Sequence, residues 1–233
     1  FMGMFWYDPS IEATAPARVL PTVSYFQDQG IVVWRSDWSG DESVLAFKAG
    51  PPSGHFGNQF FDRHPAPSHS QPDAGTMIIF ADGVWVLSPP DYSMKHTEHT
   101  NSMLINGHGQ YGSGQKWQHA NEYNTLKLTP EIIDLTTDES DRITVYADIT
   151  EAYPPESGVE RARRSVKVIS DHAWLIRDDV LLRERGEIEL IFQVETYPSE
   201  LSQYEAVVVQ GDVETHFSSM SADMSPLVYN VRT

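Results

Sequence analysis

"TMIIFADGVWVLS", Thr76–Ser88, decides the fold. Two apolar runs rich in Ile, Val, Phe and Trp flank Asp82-Gly83, a pair that tolerates positive φ at both central positions of a tight turn. The stretch therefore predicts a β-hairpin. The same grammar recurs on either side. Upstream, "TVSYFQ" and "GIVVWRSDW" pair around "DQG", and "ESVLAFKAG" follows. Downstream come "NSMLING", "LTPEIIDLTT", "DRITVYADITEAY", "RRSVKVIS", "HAWLIRDDVLL", "GEIELIFQVETY", "EAVVVQGD", "VETHFSS" and "LVYNV". β-branched and aromatic residues dominate these runs, and Gly, Asp, Ser and Pro separate them. Short strands at near-regular spacing predict an all-β chain, an antiparallel β-sandwich of many strands with few or no helices. "GQKWQHANEYNTLKL", residues 114–128, is the best helical candidate.

The chain has 233 residues, 40% of them hydrophobic, enough for one large core. Residues 1–21 differ from the rest: "DPSIEATAPARVLP" has three prolines and little periodicity, and reads as a linker or wrap. Residues 22–233 are then the sandwich domain. The opening Phe1 is read as the start of a piece of something longer. No apolar run approaches the ~20 residues that span a bilayer, so no membrane is expected. The net charge of −17 argues against nucleic acid, which basic patches bind by displacing counterions. The one basic cluster, "ERARRSVK" with Arg161, Arg163, Arg164 and Lys167, reads as a solvated strand edge. Cysteine is absent, which excludes disulfides, thiolate–zinc sites and thiol nucleophiles.

The candidate chemistry lies before the hairpin. "AGPPSGHFGNQFFDRHPAPSHSQP", residues 49–72, reads as one long loop, and loops of that length in a compact domain are commonly functional. Six of the nine histidines fall between His55 and His108. Imidazole moves protons near neutral pH and ligates metals. A metal site would draw on His69, His99 and a carboxylate, Asp73 or Asp91, but the spacing matches no short zinc motif. The alternative is that these histidines hydrogen-bond loop backbone.

Several stretches, taken in order, resemble the β-sandwich domain of the heparinase II/III-like polysaccharide lyases, which include the oligoalginate lyases. "FWYDP" with "LPTVSYFQDQGIVVWRSDW" is similar to that family's entry into the sandwich. "HSQPDAGTMIIFADGVWVLSPPDY" resembles its His-x-His-x-Asp run and hairpin, and "TEHTNSMLINGHGQYGSG" its His-Asn-Ser/Thr strand and Gly-x-Gly-Gln turn. "YADITEAY" and "ARRSVKVISDHAWLIRDDV" resemble its later strand pairs, so the match runs from Phe5 to Gln193. The resemblance implies a supersandwich fold, bacterial origin, a secreted or periplasmic location, and β-elimination of uronic-acid polysaccharides. It also implies an N-terminal helical toroid, which would be absent from this strand-rich chain and would hold most of the catalytic machinery.

Carried over by position, His69 matches the histidine that faces substrate and Asp73 the aspartate of the run. Two positions that ligate zinc in the family fall on Gln71 and Ser88, and His99 matches the third. Gln and Ser bind zinc poorly beside His and carboxylate. The cofactor expectation is therefore none, or a structural zinc held by His99 and Asp73. Tyr92, Arg35 and Asn101 are the expected substrate contacts, with acidic poly- or oligosaccharide as the partner. The competing expectation is a non-catalytic carbohydrate-binding or interdomain module with a decayed site. Trp34, Trp38, Trp85, Trp117 and Trp174 are its possible sugar platforms, Trp38 and Trp117 the best exposed.

Overall fold

A computed structural model describes residue 8 and residues 10–60, 71–89, 95–114, 127–202 and 204–221. The hairpin forms as expected: β4 (Thr76–Ala81) and β5 (Val84–Leu87) join through Asp82 and Gly83, at φ of 52° and 79°. They close an antiparallel meander with β1 (Val23–Phe26), β2 (Ile31–Arg35) and β3 (Val44–Lys48), in the order β1-β2-β3-β4-β5. A second meander holds β7 (Glu131–Thr137), β8 (Ile143–Asp148), β9 (Val159–Ser170) and β10 (Ala173–Leu182), in the order β10-β9-β8-β7. Two smaller sheets complete the described residues. One pairs β6 (Met103–Ile105) with β11 (Ile188–Leu190), and the other holds β12 (Glu200–Leu201), β13 (Glu205–Gln210) and β14 (Val213–Ser218). The chain is all-β, as its alternation predicts.

Alternation also puts one core between the two meanders. Val32 and Trp34 of β2, Leu45 and Phe47 of β3, and Met77, Ile79 and Ala81 of β4 point inward. They meet Ile143, Val145 and Ala147 of β8 and Ala162, Val166 and Val168 of β9 in the same buried cluster. Side chains two apart on a strand share a face, so each strand contributes every second residue. The Trp34 indole N–H donates to the Asp141 carbonyl at 2.9 Å and ties the sheets together at one end. Residues 10–21 are exposed throughout and carry one 3₁₀ turn, Pro16–Arg18.

Three expectations are corrected. The long loop is not all loop: Gly54–Phe60 forms α1, the one α-helix among the described residues. "GEIELIFQVETY" contributes only the three-residue strand β11, after which Ile191 bonds to Ser102 outside a ladder. The basic cluster is not a uniformly solvated edge, because β9 alternates and turns Arg164 into the core. The helical candidate falls mostly, and "LVYNV" wholly, outside the described residues.

One close approach frames the entrance to α1. Gly30, at φ 59°, packs against Gly50, and a Cβ at Gly50 would lie 2.1 Å from the Gln29 carbonyl oxygen. Only glycine lets the β1–β2 turn and the segment after β3 touch backbone to backbone.

Candidate functional site

A shallow pocket of about 10 Å³, room for about one water molecule, opens at the Lys48–Thr76 end of the first meander. Gln71, Pro72, Asp73 and Ala74 form one wall, Gln110 and Tyr111 another. The first wall is the chain segment directly after His69. His69 and Tyr92 themselves lie outside the described residues, as do Asp91 and Trp117.

Hydrogen bonds from other segments hold this wall. Gln110 clasps Ala74 from both sides: its Oε1 accepts from the Ala74 N–H at 2.8 Å, and its Nε2 donates to the Ala74 carbonyl at 2.7 Å. Ser102 Oγ donates to the same carbonyl at 2.8 Å. Thr97 Oγ1 donates to the Pro72 carbonyl at 3.1 Å and accepts from the Gln110 N–H at 2.9 Å. The wall precedes β4, so it has no ladder partners of its own, and these side chains supply what a neighbouring strand would. Tyr153 lies behind Gln110 and donates its phenol to the Met103 carbonyl at 2.9 Å.

Asp73 faces a short ion pair from Lys48. Sequence reasoning passes over Lys48, whose only signal is its place at the end of an alternating strand. His99 ends a 3₁₀ turn, Thr97–His99, and its ring lies 5.4 Å from that of His96. Among the described residues no three His, Asp or Glu side chains converge in a way that could hold a metal ion. Gln71 lines the pocket wall, and Ser88 Oγ is buried without a hydrogen bond. A neutral amide and a neutral hydroxyl are poor company for Zn²⁺, and the Asp73 carboxylate already faces an ammonium. The described donor set does not fit zinc.

Two expected substrate contacts are placed elsewhere. Asn101 is fully buried; its Nδ2 donates to the Met77 and Ser88 carbonyls at 2.7 and 2.8 Å, and its Oδ1 accepts from the Gln193 N–H. It is a clip between strands with no face toward a ligand, because its short amide matches the backbone groups that β4 and β5 leave open beside it. Arg35 pairs with Val44, which pairs with Phe80, at the end of the sheet opposite Lys48 and Thr76. Four strand residues separate the two ends, roughly 13 Å at ~3.3 Å per residue. Arg35 there bonds Glu42 at 2.8 Å and stacks 3.8 Å over Trp38. Both residues thus differ from the expectation, and the stacked guanidinium also covers one face of Trp38. Trp34 is core, and Trp85 packs edge-on to Phe80 at 5.1 Å.

Arg164 is the residue that reasoning from sequence most misplaces. It is 1% exposed and bonds Asp178, its cross-strand partner on β10, through Nε at 2.7 Å and Nη2 at 3.0 Å. Nη1 donates to the Gly75 carbonyl at 2.9 Å and the Asn101 carbonyl at 2.8 Å. Burial opposes its charge, but Asp178 outweighs burial and holds the guanidinium above its ordinary pKa. Strand parity is the signal that finds it: Arg164 shares a face with Ala162, Val166 and Val168, and Asp178 with Ile176 and Val180.

No family model matches the chain. A curated heparin-sulfate lyase from Bacteroides stercoris is 24% identical over 182 residues, which cover 72% of this chain and 22% of that protein. A solved mutant of the heparan sulfate lyase HepC from Pedobacter heparinus superposes with a TM-score of 0.63 at 17% identity, over 88% of this chain and 30% of that one. A solved heparinase III gives 0.59 at 14% identity, over 82% of this chain and 28% of that one. The chain therefore spans about a fifth of the curated relative's length. Sequence and fold relate it to the heparin and heparan sulfate lyases, in agreement with the resemblance drawn from its motifs.

Proposed function

We propose that the chain is the β-sandwich portion of a polysaccharide lyase that cleaves uronic-acid polysaccharide by β-elimination. The observation that supports this most is the pocket whose wall, Gln71–Ala74, begins two positions after His69 in the sequence of a chain similar to such a lyase. In β-elimination a base takes the proton at C5 of the uronate. The C5–H electron pair forms the C4–C5 double bond, and the glycosidic oxygen leaves C4 and is protonated. The intermediate charge sits on the uronate carboxylate and needs donors or a cation beside it. His69 is our choice for the imidazole facing substrate, since a histidine exchanges protons near neutral pH. Tyr92, in the segment after β5, is the second proposed substrate contact. The rest of the site is assigned to an N-terminal helical domain of the same protein. The likeness to a heparin-sulfate lyase also supports a secreted or periplasmic location. No helix among the described residues is long and apolar enough to cross a membrane.

The test offers alginate, heparan, chondroitin, hyaluronan and ulvan separately to this chain and to the longest natural form of the protein. Ultraviolet absorbance of the unsaturated uronate reports product. The expected result is product from the long form, loss of about 100-fold or more in His69→Ala, and none from the sandwich alone. Full activity in His69→Ala would overturn the assignment. One observation favours a second reading: Gln71 and Ser88 stand where the resembling family places ligands. On that reading the sandwich binds or packs without catalysing, and no form of the protein yields product while an oligosaccharide still binds.

A further inference from the structure

We infer that Arg164 is a positioning residue for the pocket, acting through the backbone of the two segments that carry Asp73 and His99. The kinetic arm of this inference rests on the lyase reading; the structural arm does not. Four of the five guanidinium N–H groups are used, two on Asp178 and two on the carbonyls of Gly75 and Asn101. Gly75 comes two residues after Asp73, and Asn101 two after His99. One Nη1 therefore joins the residue that follows the pocket wall to the segment that bears His99 and, through Thr97, bonds Pro72 of that wall. The side chain reaches these carbonyls from the buried face of β9 that it shares with Ala162, Val166 and Val168.

Stability alone gives no reason for this arrangement. Taking a guanidinium and a carboxylate out of water opposes folding, and well-packed apolar residues of similar volume commonly replace such pairs without loss. What apolar residues cannot supply is a fork of fixed geometry that holds two carbonyls at one nitrogen while a carboxylate holds the fork. Gly75 needs that hold. It sits at φ 80°, where a Cβ would press on Ile149, and it leads from the clasped Ala74 into β4. If Arg164 releases it, the wall loses its register against Thr97 and Gln110. Asp178 acts at one remove by orienting Arg164.

The experiment compares the intact protein with the paired variant Arg164→Met/Asp178→Leu and with Arg164→Lys. Hydrogen exchange is followed in peptides spanning residues 71–78 and 95–103, with residues 31–48 as the internal reference, and kcat and KM are measured separately. In the paired variant, exchange is expected to rise about tenfold or more in the two site segments while the reference keeps its protection. kcat is expected to fall about tenfold or more, with KM moving far less, since small displacements of reacting groups act on the chemical step. Arg164→Lys, which keeps the charge but not the fork, should fall between the two, and it carries the same contrast if the paired variant does not fold. Exchange rising equally in all three regions would mark Arg164 as merely structural and overturn the inference. Unchanged exchange in the site segments, or an unchanged kcat in an active protein, would overturn it too. If the wild type makes no unsaturated product, the lyase reading fails, and the exchange contrast still decides the positioning role.

Discussion

Tyr153 shows how one buried residue behind the pocket sets a pH limit on the fold. Its phenol is 4% exposed, and burial, ahead of every other influence, pushes it up from 10.0 to about 12. A raised pKa means the folded state holds this proton more tightly than the unfolded chain does. The resulting stability is fully present below pH 10.0 and is lost as the pH rises through about 12. The urea midpoint of the wild type should therefore fall as the pH goes from ~8 to ~11. In Tyr153→Phe the fall should be shallower, from a starting point lower by about 1–2 kcal/mol, because the Met103 carbonyl loses its donor. Equal slopes in the two proteins would assign the alkaline loss to other phenols, such as Tyr25, which burial also raises. None of this is legible in "YADITEAY". Tyr153 follows a 3₁₀ turn, Thr150–Ala152, after β8, and only the packing of that turn's end against Met103 and Gln110 gives the hydroxyl its partners.

The contrast between the β4–β5 hairpin and α1 shows which elements a sequence can announce. The hairpin is local: Asp82-Gly83 and two alternating runs contain everything the turn requires. The helix is not. Gly54–Phe60 is seven residues long, too short to persist alone. Its start is made by Asp28 of the β1–β2 turn, whose Oδ1 accepts from the Phe56 N–H at 2.6 Å and whose carbonyl accepts from the His55 N–H at 2.8 Å. A carboxylate at that end also suits the helix dipole. Asp28→Ala should cost about 1 kcal/mol in urea unfolding, the usual loss for a helix-start acceptor. Residues 51–60 should become the first site of proteolysis, because exposed Phe56 and Phe60 are stacked at 5.6 Å only while the helix holds them. An unchanged proteolytic pattern would show that α1 is held by something other than Asp28. The strand β9 lies between these cases. Its parity is plain in "VERARRSVKVIS", yet charge drew Arg164 outward until the register with Asp178 gave it a partner inside.

At the scale of the molecule, the described donor set, unsuited to zinc, has a thermal consequence. A metal bound only by the folded state stabilises it by RT ln(1 + [L]/Kd), about 2.7 kcal/mol at a hundredfold excess over Kd. In a protein of 233 residues that would raise Tm by roughly 5–10 °C, at ~2–4 °C per kcal/mol. With Gln71 and Ser88 among the carried-over ligands, zinc addition and EDTA treatment should both leave Tm within about 1 °C. A chelator-sensitive Tm, followed in a thermal scan with metal restored, would show that other residues complete a site.

By itself the sequence determined the class of the fold, the hairpin and its turn, the order of the motifs, and the family they resemble. Those depend on period-two alternation and local turn chemistry, both of which operate over a few neighbouring residues. Only the tertiary structure decided that Asn101 is a clip, that Arg35 stands at the far end of the sheet, that Asp28 starts a helix, and that Arg164 joins the backbone behind the pocket wall at Gly75 to Asn101. Three of those roles depend on distant partners: Asp28 meets Phe56 across 28 positions, Arg164 meets Gly75 across 89, and Asn101 meets Gln193 across 92. A polar side chain's function is set by which carbonyls or charges the folded backbone brings within about 3 Å, and no local pattern records that.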